Sequence, residues 1–380
     1  MKEKKKKQGK NIANILIFVL LLVCSAGIGF LVGKIGADAV PEDTGFLPFM
    51  AGYLLQFVFL VLAFLIQLII HEGGHLLAGL LTGYRFSSFR IGSLMLLKTS
   101  DGYSFKRFSL AGTGGQCLLI PPERRPDGSY PYRLYHLGGV LLNVITAVLA
   151  FGAYALVSGA FLFYLAICGV LCALMNGIPL RAGGLATDGY NVLHIGKEPF
   201  ALDAMWLQLK INAAQTEGVR LRELPEEWFE IPPEASKHNE IISSVAVFRE
   251  NRAMDALDFE QVKELIAQLR CSEDYTVIGL YQSLLTCDEV TVDLIEHGAA
   301  ADTALLNTRQ CKAFRKAMAK FPAVIRTEYA VALLKEHDRK KAQKCRELFS
   351  EVAKRYPARS DLDSETEIMD YLDHCSEEHR

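Results

Sequence analysis

The sequence lacks the patterns that mark several common classes of protein. Its nine cysteines form no CxxC pair and show no regular spacing, which argues against a disulfide framework and is typical of a reducing compartment. The stretch Gly112–Gln116 lacks the GK[ST] ending of a phosphate-binding loop. The charged second half of the chain has no basic stripe of the kind that binds nucleic acid. We therefore expect no nucleic-acid partner.

Charged residues are almost absent from four long apolar stretches in the first half of the chain. A helix needs about 20 apolar residues to cross the hydrocarbon core of a bilayer. Residues 11–33, 47–83, 134–158 and 160–180 meet this requirement, so we predict four membrane-spanning helices. The first stretch resembles a signal peptide, but its apolar length and the lack of a clear A-x-A site predict a retained anchor.

Lysine and arginine are distributed unevenly around these stretches, which predicts the topology. Residues 1–10 include six lysines, and we interpret them as a basic cytosolic tail. The loop 36–45 has acidic residues and no basic one, whereas 85–133 is rich in basic residues. We therefore predict a multi-pass protein of the cell membrane with both termini in the cytosol.

The second apolar stretch ends in HEGGH, residues 71 to 75, which fits the H-E-x-x-H pattern. Side chains four residues apart share a helix face, so His71 and His75 can bind one Zn²⁺ ion. Zinc lowers the pKa of a bound water to about 7, and Glu72 is positioned to act as its general base. Ionisable groups between apolar runs are costly in a membrane and are usually functional. A chance match in an apolar helix is the alternative.

Two further motifs follow in order. Gly139–Asn143 reads GVLLN, and Asn176 begins NGIP, which is followed by Asp188-Gly189. With HExxH, this set resembles the site-2 protease family of intramembrane zinc metallopeptidases, which carries HExxH, GxxxN and NxxP…DG motifs on membrane helices. The resemblance covers about residues 47 to 195. Two departures are the twelve-residue separation of Asn176 and Asp188, longer than in the compact motif, and Val140 where the family often has proline.

The resemblance implies a role for each matching residue. His71, His75 and Asp188 would be the zinc ligands, and Glu72 the catalytic base. Asn143 and Asn176 would line the site, in contact with the substrate backbone or the developing oxyanion. His136 and His194 could supply a spare ligand, but we expect each to be a surface or interfacial histidine.

Residues 85–132 alternate apolar and polar positions around the turn-like sequence Thr99–Gly102, which predicts a β-rich cytosolic segment containing a hairpin. Beside an active site, such a segment could offer an edge strand to an extended substrate. A purely structural hairpin is equally compatible with the sequence.

Residues 196–380 read as a cytosolic all-α domain. Residues 253–269 have the 3.6-residue periodicity of a helix, and 329–356 read as a helical hairpin. The hairpin resembles tetratricopeptide-type hairpins, although no 34-residue period is visible. Stacked hairpins usually form a protein-binding surface, so a protein partner is possible here.

Together these features predict a polytopic α-helical membrane protein, with a metalloprotease domain at 11–195 and a helical domain at 196–380. The predicted activity is hydrolysis of peptide bonds in membrane-anchored proteins or their remnants. One alternative is a non-proteolytic membrane scaffold with a structural or vestigial metal site. A metal transporter is disfavoured by the one ligand cluster, the four spans and the lack of an internal repeat.

Overall fold

The structure, a computed structural model, is mostly helical. It describes residues 26–27, 29–30, 33–34, 45–109, 113–182, 185–271 and 275–378. The predicted basic tail, most of the first predicted span at 11–33 and most of the loop 36–45 lie outside the described residues.

Three long apolar helices are present among the described residues. They are α1 (Phe46–Leu81), α2 (Tyr132–Val157) and α3 (Ala160–Gly177). Each is long and apolar enough to cross a membrane. Many large apolar side chains on them are exposed, such as Phe57 and Val148, and large exposed apolar surfaces mark interaction with lipid or protein. The helices match three of the predicted stretches within a few residues, although α3 ends at Gly177 rather than at residue 180.

The β-rich segment forms a four-stranded antiparallel sheet of order β3-β2-β1-β4. Its strands are β1 (Arg85–Ile91), β2 (Leu94–Thr99), β3 (Gly102–Arg107) and β4 (Gly115–Ile120). The predicted turn joins β2 to β3, where Thr99 pairs with Gly102. A second turn joins β1 to β2 at Gly92, which has a φ of 58°. It divides the alternating apolar and polar sequence before Thr99 into two strands. Glycine adopts this left-handed conformation without the strain that a Cβ atom introduces.

After α3, the chain forms a short two-stranded pairing and a short helix. These are β5 (Arg181–Ala182), β6 (Leu185–Ala186) and α4 (Asp188–His194), followed by a 3₁₀ turn at Ile195–Lys197. The twelve residues from Asn176 to Asp188 therefore include the end of α3 and the two short strands. Asp188 is the first residue of a new helix, α4.

The described residues of the second half of the chain form helices and no strands, as predicted. Its helices are α5 (Pro199–Thr216), α6 (Glu240–Asp255), α7 (Phe259–Arg270), α8 (Gly279–His297), α9 (Arg309–Ala317), α10 (Pro322–Ala330), α11 (Arg339–Ala353) and α12 (Arg359–Glu378). A π-helical turn, Val331–Lys335, extends α10. Short 3₁₀ turns lie at Leu221–Glu223, Glu226–Phe229, Gly298–Ala300 and Ala304–Asn307. The largest apolar core is formed by α6 to α12.

One helix prediction was wrong and another was confirmed. Residues 253–269 do not form a single helix, because α6 ends at Asp255 and Leu257 has a φ of 59°. Asp258 then caps α7 by accepting a hydrogen bond from the backbone N–H of Gln261. The predicted hairpin at 329–356 is formed by the end of α10, its π-helical extension and α11.

Contacts divide the chain into two compact units. One comprises residues 1–71 and 139–175, and the other comprises 72–138 and 176–380. All three divisions fall inside continuous helices: between residues 71 and 72 of α1, 138 and 139 of α2, and 175 and 176 of α3. The second unit contains the sheet and the C-terminal helices.

Candidate metal centre

His75 lies in the last third of α1, and each of its two ring nitrogens lies close to an oxygen atom. Its Nδ1 lies 2.8 Å from the carbonyl oxygen of Tyr135. A carbonyl can only accept, so Nδ1 carries the proton and Nε2 keeps its lone pair. That Nε2 lies 3.4 Å from Oδ2 of Asp188. Two ligands bound about 2.0–2.2 Å from a tetrahedral zinc ion lie about 3.3–3.6 Å apart, so the spacing suits shared coordination.

Asp188 is held in place by the residues on either side of it. Thr187 caps α4 by accepting from the backbone N–H of Tyr190, and its hydroxyl also contacts the backbone of Ile178. Gly189 lies against the carbonyl of Gly177, and a Cβ atom at 189 would collide with that carbonyl. The close approach of two glycine backbones therefore positions Asp188 beside the end of α3.

His136 is buried next to Asp188, not at a surface. Its side chain is 9% exposed, and its Nδ1 lies 3.9 Å from Oδ1 of Asp188. The expectation of a surface or interfacial position was therefore wrong for this residue. His194, in contrast, is partly exposed and stacks on Tyr190 within α4. An ionisable side chain in an apolar helix is usually buried beside a polar partner. For His136 that partner is Asp188, which is distant in sequence, so the sequence alone did not reveal the buried position.

His71 is oriented by a buried amide network. Its Nδ1 lies 2.7 Å from Oδ1 of Asn143. The amide nitrogen of Asn143 donates to the backbone carbonyl of Gln67 at 2.9 Å and to its side-chain oxygen at 2.8 Å. Because a backbone carbonyl must accept, this contact fixes which end of the Asn143 amide is the oxygen. His71 Nδ1 is therefore the donor, and its Nε2 is left with a lone pair.

The three residues predicted as metal ligands form one group. Ligand atoms of His71, His75 and Asp188 all lie within 4.8 Å of one another. His71 and His75 are one turn apart on the continuous helix α1, so local helix geometry accounts for that pair. Two imidazoles and one carboxylate are a donor set that binds zinc and other divalent transition metals.

Glu72 is buried and lies against the start of β4. A Cβ atom built on Gly115, the first residue of that strand, would lie 2.5 Å from Oε1 of Glu72. The buried Arg90 donates to the carbonyl of Gly115 at 3.3 Å and to the hydroxyl of Thr113 at 2.6 Å. Burial lowers the pKa of Arg90, and the negative charge of Glu72 opposes this effect. The sheet therefore brings a glycine backbone and a cation to the region of Glu72.

The two predicted lining residues occupy different environments. Asn143 is fully buried, and its amide is used by His71 and Gln67. Asn176 is partly exposed, one residue before the end of α3. Sequence reasoning did not single out Gln67, Tyr135 or Gly115. Gln67 carried a detectable signal, as a polar residue in an apolar run, whereas Tyr135 contributes only a backbone carbonyl.

Comparison of the chain with protein-family models, with curated proteins and with solved structures gave no match.

Proposed function

We propose that the chain is an intramembrane zinc metalloprotease. The observation that carries this proposal is the grouping of His71, His75 and Asp188 directly beside the buried Glu72. A merely structural metal site has four protein ligands, whereas a catalytic one has three and an open position. Three protein ligands next to a carboxylate base match the catalytic arrangement.

The residues of the site fit a zinc ion. His71 and His75 would each present Nε2, since their Nδ1 atoms are engaged by Asn143 and by the Tyr135 carbonyl. Such outer hydrogen bonds set the tautomer and the ring orientation of metal-binding histidines. Asp188 would supply the third ligand. When bound, zinc lowers the pKa of a coordinated water and polarises the substrate carbonyl.

Glu72 would perform the proton transfers of peptide hydrolysis. It accepts a proton from the attacking water and then delivers it to the leaving amine. His136 would orient Asp188 from its other carboxylate oxygen, 3.9 Å away. Asn176 remains a candidate for contact with the substrate, because it is not fully buried. Asn143 is better suited to holding His71 than to binding substrate.

The apolar surfaces of α1, α2 and α3 support a location in the membrane. We propose that the helices span it, with the sheet and the helical domain on the cytosolic side as the Lys/Arg bias predicts. HEGGH lies ten residues before the end of α1, counted from His71 to Leu81. At 1.5 Å per residue this is about 15 Å, so substrates would be cut inside or near the bilayer.

The start of β4 is where we propose that an extended substrate binds. Within the described sheet, β4 is an outer strand that pairs with β1 only. Its first residue, Gly115, lies against Glu72. A substrate strand added here would bring its peptide bonds next to the base, and strand addition supplies main-chain hydrogen bonds without sequence preference. The proximity to Glu72 favours this role over a purely structural hairpin.

A pair of variants tests the proposal. Glu72→Gln removes the base but none of the three ligands, so we expect zinc to be retained while cleavage of a co-expressed membrane-anchored substrate falls about 10²- to 10⁴-fold. Asp188→Ala removes a ligand, so we expect it to lose zinc as well as activity. Metal content is measured by mass spectrometry on the purified proteins, and cleavage by immunoblot.

Each outcome separates the proposal from its rivals. Cleavage by Glu72→Gln at the wild-type rate would exclude Glu72 as the base. Purified wild type without stoichiometric zinc would exclude the metal centre. Zinc bound by wild type, with no cleavage across a screen of membrane-anchored substrates, would favour the scaffold with a structural metal site.

A further inference from the structure

A cavity in the helical half of the chain lies apart from the metal centre and has a volume of about 120 Å³. Residues from α5, α6, α8, α10 and α12 line it. Pockets for drug-sized ligands have volumes of about 300–1,000 Å³, so this one suits a small molecule. Its lining is unusually polar for the interior of a helical domain: the charged members are Asp255, Asp288, Arg326, Asp361 and Glu365.

Arg326 is the cation of this cavity, and its side chain is only 1% exposed. Its Nε donates to Glu365 at 3.0 Å, and its Nη2 donates to Asp288. Its Nη1 has no hydrogen-bond partner among the described residues. A buried guanidinium nitrogen without an acceptor costs free energy, so the site is incomplete at this atom. An oxygen acceptor, such as a carboxylate, would complete it.

The carboxylates of the cavity outnumber its cation. Asp255 is already neutralised by Arg220, which donates to it through two nitrogens. Asp361 receives its hydrogen bonds from the neutral groups of Gln215 and Tyr356, at 2.7 and 3.3 Å. The cation of Arg326 is shared by Asp288 and Glu365. One positive charge therefore faces three carboxylates, and a ligand that carries a positive charge would restore the balance.

A fourth carboxyl group lies close to these charges but does not line the cavity. Glu250, on α6, is fully buried, and neither of its oxygens has a hydrogen-bond partner within the described part of the chain. Burial raises the pKa of this carboxyl group well above 4.5, and the nearby Asp288 adds to the effect. The neutral form of Glu250 is therefore favoured, and Glu250 adds no charge to the cavity. The unpartnered Nη1 of Arg326, together with the carboxylates of Asp361 and Glu365 in the lining, points to a ligand that has both an acceptor and a cationic group.

A metal ion does not match this geometry. Three residues that hold one ion bring their ligand atoms within a few ångströms of one another, as His71, His75 and Asp188 do. The carboxylates of the cavity form no such group among the residues that the structure describes. They are instead spread around the cavity, with Asp288 at a buried position and Asp361 at a partly exposed one. This distribution suits an organic ligand with separated charges.

We propose that this cavity binds a free α-amino acid. The carboxylate of the ligand would accept from Nη1 of Arg326, and its ammonium group would donate to Asp361 and Glu365. The partly exposed Asp361 and Glu365 mark the side from which the ligand enters, and the buried Arg326 lies at the inner end. The proposal is independent of the proposed proteolytic activity.

The test uses the full chain purified in detergent micelles. Thermal unfolding is followed by tryptophan fluorescence, because Trp206 and Trp228 are the two tryptophans of the chain and both lie in its helical half. The probes are the twenty standard amino acids, with ethylamine and acetate as compounds that carry only one of the two charged groups. We expect at least one amino acid to raise the unfolding temperature saturably, and both single-charge probes to have no comparable effect.

Asp361→Asn is the informative variant, because substitution of Arg326 would leave several carboxylates buried without a cation and could prevent folding. We expect it to weaken the binding of the amino acid at least tenfold. Asp363→Asn is the matched control: it makes the same change two residues away on α12, where the side chain is 54% exposed, and it should bind as wild type does. The proposal is overturned if no amino acid gives a saturable shift, if ethylamine or acetate acts as strongly, or if Asp361→Asn binds with wild-type affinity.

Discussion

At the scale of single residues, the site depends on side chains that hold other side chains. Asn143 illustrates this, because its oxygen accepts from His71 while its nitrogen donates twice to Gln67. Both donors of this amide are engaged by Gln67, so none is left for a substrate carbonyl or a developing oxyanion. The motif residue is therefore better understood as a group that selects the tautomer and orientation of His71.

Asn143→Ala tests this role. The change removes the acceptor of the His71 Nδ1 proton, so the ring is free to rotate and to change tautomer. Loss of such an outer partner typically reduces metal affinity by about 10- to 100-fold. We expect a loss of this size, measured by competition of the purified protein with a fluorescent zinc chelator.

Leu141→Ala is the control for that measurement. It shortens an exposed side chain two residues away on the same helix and removes no hydrogen-bonding group, so zinc affinity should stay at the wild-type value. If Asn143→Ala binds zinc normally but cleaves poorly, the residue contacts substrate instead, as the resemblance implies.

At the scale of secondary-structure elements, the approach of β4 to α1 is decisive for the proposed chemistry. The strand begins with a glycine at the point where it meets Glu72, and any side chain there would overlap the carboxylate. Glycine is needed at this position because of a close approach rather than because of its backbone conformation.

Gly115→Ala should therefore displace Glu72 or the start of β4. We expect peptide cleavage to fall at least tenfold while zinc remains bound, because the nearest atoms to the added methyl group all belong to Glu72 and the three ligands are unchanged. Cleavage and metal content are measured as for Glu72→Gln. The matched change is Gly152→Ala, since a Cβ atom at that position on α2 meets nothing within 4 Å. Equal activity of the two variants would show that β4 does not constrain the base.

The turn between α6 and α7 is a second feature at the scale of secondary-structure elements. The apolar periodicity of residues 253–269 continues from α6 into α7 although a turn separates them. Leu257 adopts a left-handed conformation there, which is uncommon for a residue with a Cβ atom. Periodicity reports which residues are buried, and both helices bury theirs in one core, so the pattern alone could not reveal the turn.

At the scale of the whole molecule, the proposed topology places the helical half in the cytosol. Cys271 is exposed and lies in this half, directly after α7. We expect a membrane-impermeant maleimide to label it only after the cell membrane is broken, with Cys271→Ser as the control for labelling of other thiols. Labelling in intact cells would contradict the predicted orientation.

The charge balance of the helical half also predicts a dependence of stability on pH. Burial raises the pKa of Glu365 from 4.5 to about 7 and that of Asp361 from 3.8 to about 6. The folded state therefore binds protons more tightly than the unfolded state, so these groups stabilise the fold most at low pH, and this contribution is lost as pH rises toward 7. We expect the ligand-free unfolding temperature of this half to decline less between pH 5 and 7.5 in Asp361→Asn than in wild type. The same decline in Asp363→Asn as in Asp361→Asn would refute the assignment to Asp361.

The sequence by itself determined the features that depend on local periodicity and composition. Apolar runs of sufficient length predict α1, α2 and α3, because a helix with so much apolar surface is stable in lipid but not exposed to water. The separation of His71 and His75 by four residues places both on one helix face without any tertiary contact. Alternation of apolar and polar residues was likewise enough to predict the β-rich segment.

Only the tertiary structure decided which distant groups meet these histidines. The position of Asp188 depends on the contact of Gly189 with Gly177, and the orientation of His71 depends on Asn143 and Gln67. The proximity of Gly115 to Glu72 and of His136 to Asp188 has no signature in the local sequence. These contacts join segments far apart along the chain, and their distances are set by how closely the backbones can pack, which no local pattern encodes.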